Sequence, residues 1–346
     1  MNRRWVCNDV WLNILPFFNH AQLGLKLALL SYRYDSLVDK HFDGKPEFTV
    51  WRTIAFCRHI EAKPQLCVMV DGYFVQFPLP DHPLPNKIRF KRLFICYIDH
   101  SVIEFLRSNK QIWDRRGTRL ELNVHQQPIW DVVVREIWPT FAANVRRLCF
   151  TDSDYLDTLR RCTSPTILTD LNRLDSIYVK NLLPDVLDDL DVTNATSAGQ
   201  ALSKWLHTPR KDGQPKRLFC NNCDEEEKYN WVNNFKEKFL SATTSTASYK
   251  IQFYVVHPPP ASMVPFELMN EWSKEKLTLT KASKEKFEKR WIITRCQIGE
   301  TAAVHWEDEN WEHLNTVSVL LLNAKHCIGA LSPTPTEEEE AGQSND

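Results

Sequence analysis

The chain has 346 residues, 43% of them hydrophobic, and its 43 basic residues nearly balance 44 acidic ones, for a net charge of −1. That composition can bury a large core, and it excludes a global field able to steer the protein onto nucleic acid or an anionic membrane. No apolar run reaches the length of a membrane span and Met1 to Trp5 lead into no secretory signal, so the expected location is the cytosol or nucleus, with the ten scattered cysteines as reduced thiols.

From the N-terminus, residues 6 to 38 place apolar side chains on two opposite helical faces. Trp11, Ile14, Leu15 and Phe18 share one face of a first helix, and Val10, Leu12 and Phe17 occupy the other, a pattern suited to a helix packed on both sides. Asn8 is placed to cap this helix, Asp9 complements its dipole, and Pro16 predicts an early end. Leu23, Leu27 and Leu30 predict a second amphipathic helix closed by Ser31, Tyr32 and Arg33. The module so defined spans 1–45. Asp43 to Pro46 break the pattern, and Pro78, Pro80, Pro83 and Pro85 mark 46–87 as a stiff connector.

Over 88–260, β-type runs alternate with helical ones. Arg92 to Ile98, Arg119 to Val124, Val145 to Phe150 and Arg173 to Val179 predict strands. Ser101 to Trp113, Ile129 to Phe141 and Tyr155 to Leu171 predict the helices between them. The anchors Leu93, Leu120, Leu148 and Leu174 recur every 26 to 28 residues, within the range of leucine-rich repeats with one strand and one helix per unit, and the spacing then loosens to Leu218 and Ile251. The fold class is α/β, a helical hairpin followed by a degenerate leucine-rich-repeat-like βα array, with an open βα sheet as the alternative. Tyr249 to Val256 predict a further strand, and Lys276 to Thr280, Arg290 to Cys296 and Thr316 to Leu322 make 261–331 a β-rich region. The acidic tail 332–346 has nothing to bury and is expected to be disordered.

Motifs of reactive chemistry are sparse in the sequence. None of the nine glycines builds a phosphate-cradling loop, and neither a Gly-x-Ser-x-Gly elbow nor a His-Glu-x-x-His pair occurs. Cys220 and Cys223 have metal-ligand spacing without a second pair nearby, and the acidic loop Asp185, Asp188, Asp189 and Asp191 lacks the Gly turn and final Glu of a calcium loop. No catalytic residue, cofactor or metal is therefore assigned. Most of the twelve tryptophans, Trp130, Trp138 and Trp205 among them, are expected in the core. Trp231, Trp272, Trp306 and Trp311 sit among charged residues, where exposed aromatics with a polar rim would anchor a partner protein.

The N-terminal segment resembles an F-box on these residues: Val6 and Cys7 at the opening pair, Asp9 followed by Val10 and Trp11, Ile14, the pair Phe17 and Phe18, Leu23 after a gap, then Ser31, Arg33 and Tyr34 leading into Leu37 and Val38. Cys7 stands where the family has Pro and Gln22 where an acid is frequent. The remainder is similar to a divergent nematode group of F-box proteins in Leu84 to Leu93, Ala201 to Pro209 and Val264 to Leu268. The resemblance implies a non-catalytic receptor subunit of a Skp-cullin-F-box ubiquitin ligase. In it Val6, Cys7, Val10, Trp11, Ile14, Leu15 and Leu23 would dock the Skp-family adaptor, and through it the cullin, while the repeats or the C-terminal region hold an unknown target protein. The alternative is a repeat-based interaction scaffold without a ligase, its N-terminal hairpin capping the array.

Overall fold

The computed structural model describes residues 6–18, 22–43, 54–57, 64–70, 73–80, 83–84, 89–95, 97–110, 117–123, 127–186, 196–221, 223–245, 247–255, 263–282 and 289–299. The strands are β1 (Ile54–Cys57), β2 (Gln65–Val70), β3 (Tyr73–Pro78), β4 (Arg92–Ile95), β5 (Thr118–Leu122), β6 (Val145–Phe150), β7 (Ser176–Lys180), β8 (Lys216–Asn221), β9 (Tyr249–Val255), β10 (Phe266–Asn270), β11 (Glu275–Ala282) and β12 (Lys289–Gln297). They form one open sheet in the order β10-β11-β12-β9-β8-β7-β6-β5-β4-β1-β2-β3. From β1 through β4 to β9 every neighbouring pair is parallel, and antiparallel strands complete both ends.

The register explains why this order holds. Val75, Val68, Ile54, Leu93, Leu120, Leu148, Ile177, Leu218, Ile251, Ile293, Leu279 and Phe266 are paired strand to strand, so one apolar rung crosses the whole sheet. Alternate residues on a strand point to opposite faces, which puts this rung on one side. Parallel neighbours also need a crossover, and crossovers of one hand advancing in one direction lay their helices on a single face. Here α3 (His100–Ser108), α6 (Ser153–Cys162), α8 (Ala198–His207) and α9 (Glu225–Ser241) bring Val102, Leu156, Trp205 and Phe239 into the same core as the rung.

Local signals fix the helix starts. Asp99 accepts from the Val102 amide at 3.0 Å, Asp152 from that of Asp154 at 3.2 Å, and Asp224 from that of Glu227 at 3.0 Å. Ser197 and Gln200 close a reciprocal capping box on α8. The helical run before β6 contains α4 (Gln127–Val132), a π-helical turn at Val133–Ile137 and α5 (Trp138–Phe141), agreeing with the apolar period from Ile129.

Several sequence expectations change. Residues 54–57, 65–70 and 73–78, within the segment read as a proline-rich connector, supply β1, β2 and β3. The helix expected from Tyr155 to Leu171 is split into α6 and α7 (Ile167–Asp170), because Pro165 disfavours helix at the preceding residue. Ile177, not Leu174, takes the rung position in β7, with Leu174 buried ahead of the strand. Strands β10 to β12 continue the same sheet. Cys67 is disulfide-bonded, against the expectation of reduced thiols, whereas Cys7, Cys149, Cys162, Cys220, Cys223 and Cys296 are free. The expected strand Thr316 to Leu322 and the acidic tail lie outside the described residues.

Buried charge includes Glu121 beside Arg119 and Arg92, and three further groups. Asp175, just before β7, pairs with Arg146, with Arg217 at 3.3 Å, with Arg210 at 3.6 Å and with Arg147 at 3.9 Å. Gly117, with φ +116°, enters β5 so close to Arg146 that a Cβ there would lie 2.6 Å from the Arg146 Cβ. Arg295 in β12 donates to Glu275 in β11 at 2.6 Å and lies over the Phe239 ring at 5.2 Å. Lys216 is buried and donates to the Trp205 and Thr208 carbonyls at the C-terminus of α8, where a cation also complements the helix dipole. Burial and the loss of water lower its pKa to about 7, with Arg210 adding to the effect.

Nearby, a ring nitrogen of His207 lies 3.1 Å from the Tyr249 hydroxyl. Burial first, then Arg295, hold this imidazole down to about 4. An unfolded chain takes up the proton near 6.5, so the contribution of His207 is fully present above that pH and is lost as pH falls toward 4. Urea unfolding should show this residue removing about 2 kcal/mol of stability between pH 7 and pH 5. His207→Gln should flatten that part of the profile; an equal slope in both proteins would contradict the assignment.

Candidate docking surface

The N-terminal module carries the largest concentration of exposed apolar groups among the described residues. Its first helix, α1 (Asn8–Ile14), ends where Pro16 requires, and a 3-10 turn at Leu15–Phe17 follows. Cys7 occupies the N-cap position without a side-chain bond, so Asn8 does not cap the helix as its type predicts. The Asn8 carboxamide oxygen instead accepts from Arg33 Nε at 3.0 Å and Nη2 at 2.8 Å, and Arg33 also donates to the Val6 carbonyl. The late arginine of the motif therefore clamps the start of the chain.

The second expected helix is a π-helical turn, Leu23–Leu27, continued by a 3-10 turn, Ala28–Leu30. Ser31 is extended, and Tyr32 begins α2 (Tyr32–Phe42) rather than ending a helix. Leu15, Leu23, Leu27, Ala28, Leu37, Val38 and Phe42 form a core separate from that of the sheet, with Trp11, Leu12 and Tyr34 packed on it. The Trp11 and Tyr34 rings meet edge-on at 5.0 Å. The module touches the main body through Leu25, which joins the sheet's core, and Lys26, whose ammonium lies 5.7 Å from the Phe77 ring of β3.

With that inner core filled, the opposite side is left to solvent. Val6, Cys7, Val10, Ile14 and Phe18 are exposed, Phe17 and Tyr32 are each 87% exposed, and Leu30 is 68% exposed. Of the expected docking residues, Val6, Cys7, Val10 and Ile14 thus offer surface and Trp11 is half-buried. Leu15 and Leu23 are 0% exposed and belong to the module's own core. Leu30 and Tyr32 were not singled out by helical periodicity, because the backbone changes from 3-10 to extended to α-helical between them.

The other expected residues separate. Trp231 is core: its indole donates to the Pro184 carbonyl at 2.6 Å and stacks on Phe235 at 5.0 Å. Trp272, in the turn between β10 and β11, is 82% exposed. Trp306 and Trp311 lie outside the described residues, as do Asp188, Asp189 and Asp191. Cys220 and Cys223 are buried thiols whose pKa values burial raises, that of Cys223 to about 11. Among the described residues no group of three or more His, Cys, Asp or Glu side chains could hold a metal ion, and no helix is long and apolar enough to cross a membrane.

Compared with models of protein families, with curated proteins and with solved structures, the chain matches none. The geometry itself separates two kinds of substitution. Val10→Glu with Ile14→Glu should cost about 1 kcal/mol of folding stability, since Val10 is 44% and Ile14 37% exposed. Leu23→Ala should destabilise the module by about 2–5 kcal/mol through the cavity it leaves. Hydrogen exchange across residues 22–43 would read both effects, and comparable losses of protection in the two variants would contradict this division into surface and core.

Proposed function

We propose that the protein is a substrate-recognition subunit of a Skp-cullin-F-box type ubiquitin ligase, acting in the cytosol or nucleus. The observation that carries this reading is an N-terminal module whose own core is filled while Val6, Val10, Ile14, Phe17, Leu30 and Tyr32 remain outside it. Fully burying a side chain of this kind against a partner is worth about 1.5–3 kcal/mol, so a few of them sustain a specific interface. The F-box resemblance of residues 6–38 supplies the partner, a Skp-family adaptor. The parallel strands that follow in chain order with helices on one side fit the leucine-rich-repeat-like array of the sequence reading, and would serve as the body that holds a target.

In this reading the protein changes no bond itself. It holds a target beside a ubiquitin-charged conjugating enzyme, so that transfer proceeds at high effective concentration. The test is binding of purified Skp-family adaptor to the full-length chain, in parallel with the variant Val10→Glu, Ile14→Glu. Micromolar or tighter binding that the folded variant loses is the expected result. No binding by the folded wild type would overturn the proposal and leave a scaffold whose module serves only as a cap.

A further inference from the structure

The sheet has a second buried rung on the face away from its helices. Cys67, Ala55, Phe94, Glu121, Cys149, Tyr178 and Phe219 pair strand to strand from β2 to β8, and each adjoins in sequence a member of the apolar rung, which turns it to the other side. All seven are at most 5% exposed. The helices of the sheet are not the reason, because their apolar residues join the first rung, whereas Cys149, Tyr178 and Phe219 cluster with strand residues alone. A parallel sheet is ordinarily covered on both faces, and two large rings standing on an open face would meet water on their outer side. Arg119, Arg147, Arg217 and Lys250, on the same face, have further partners within the chain, as do Tyr178, Phe219 and Tyr254. The face is therefore covered, and by this chain.

We infer that residues 300–331 of this chain, which follow β12 and lie outside the described residues, dock on this face as its cover, the acidic stretch 300–312 along the cations. Length, charge and position single the segment out. The internal stretches outside the described residues are at most ten residues long (44–53), and each must return to the next element. The cations from Arg92 in β4 to Lys250 in β9 spread over five strand spacings, roughly 24 Å, whereas residues 300–312 reach about 43 Å when extended. That stretch contains Glu300, Glu307, Asp308, Glu309 and Glu312 and no Lys or Arg. Such a cover neutralises Arg92, Arg119, Arg147, Arg217 and Lys250, whose burial without partners would be costly. The other acidic stretch, 187–195, is held on the helix side at both ends: the Asp185 amide donates to the Gly199 carbonyl at 3.1 Å and the Thr196 amide to Gln200 at 2.8 Å. Residues 300–312 also start beside the cations, since Thr294 of β12 pairs with Lys250, and Gly299, at φ +95°, lets the chain reverse just before them. The β-type run Thr316 to Leu322 then brings apolar side chains to Tyr178 and Phe219. On this account Trp306 and Trp311 belong to the chain's own cover and not to a surface for another protein.

This docking does not depend on the ligase reading, and its test needs no adaptor. The full-length protein is treated with a carbodiimide, which joins a carboxylate directly to an amine in contact with it, and the linked peptides are mapped by mass spectrometry. Lys250 is half-buried, and a link from it to an acid of 300–312 is expected. In parallel, the full-length variant Glu307→Lys, Glu309→Lys, Glu312→Lys is labelled with a thiol reagent. Cys149, on the covered face, should react about tenfold or more faster than in the wild type, while Cys220, buried on the side of the first rung, keeps its rate. A variant in which Cys220 also gains reactivity has lost its fold, and the wild-type link then decides. No link from Lys250 to residues 300–312, or a Cys149 as protected in the folded variant as in the wild type, would overturn the inference.

Discussion

The apolar rung that crosses all twelve strands is the constraint on which the rest of the molecule depends. Because its members are paired one to one, a slip of one residue on β4, β5, β6, β8 or β9 would send an aliphatic side chain to the opposite face and an arginine or lysine into the core. The parallel stretch from β4 to β9 cannot be connected by tight turns, so each step there spends residues on a crossover whose helix covers the rung, whereas β1 reaches β4 through the antiparallel β2 and β3. One face is thereby committed to burial. The other carries Arg92, Arg119, Arg147, Arg217 and Lys250 together with the small cluster of Cys149, Tyr178 and Phe219. The antiparallel pairs β2-β3 and β10-β11 finish the two ends of the sheet.

The N-terminal module obeys a different constraint. Its few residues must fill a core of their own, and Leu15, Leu23, Leu37, Val38 and Phe42 do so from three short helical pieces. Arg33 ties the entering chain to α2, which holds α1 at a fixed angle to its neighbours. Leu25 and Lys26 supply the contact to the sheet, beside β3. Apolar groups pointing away from both cores bring no stability to the isolated chain. The proposed adaptor would give them a physical reason to be there.

Much of this architecture could be read from residue patterns, and the failures have local causes. The repeat of Leu93, Leu120 and Leu148 revealed the rung because β-type runs and helices alternate at a nearly constant interval there. It drifted at Leu174 because that leucine precedes its strand, and Ile177 is the residue in register. Strands β1 to β3 were hidden by prolines that flank rather than interrupt most of them, Pro78 standing at the end of β3. The two-sided apolarity of residues 10 to 18 was legible. Which side faces inward was not, because Trp11 and Leu12, from the two apolar sides, both pack on the module's core while Val10 and Ile14, also from the two sides, stay exposed. Trp231 shows a similar limit: acidic neighbours in sequence suggested exposure, yet α9 turns the indole inward to the Pro184 carbonyl. Placing Arg92, Arg119, Arg147, Arg217 and Lys250 on one face required the strand register, since they lie 27 to 70 residues apart in sequence and share only their position one residue before the rung.

The central claim is that the outer face of the N-terminal module is a docking face independent of the sheet. Hydrogen–deuterium exchange on the full-length protein, alone and with saturating Skp-family adaptor, tests it most directly because it locates contact along the chain. The account predicts new protection confined to residues 6–18 and 30–33, with β4 to β9 unchanged. Absence of protection in those two segments, or protection centred on the sheet, would contradict it.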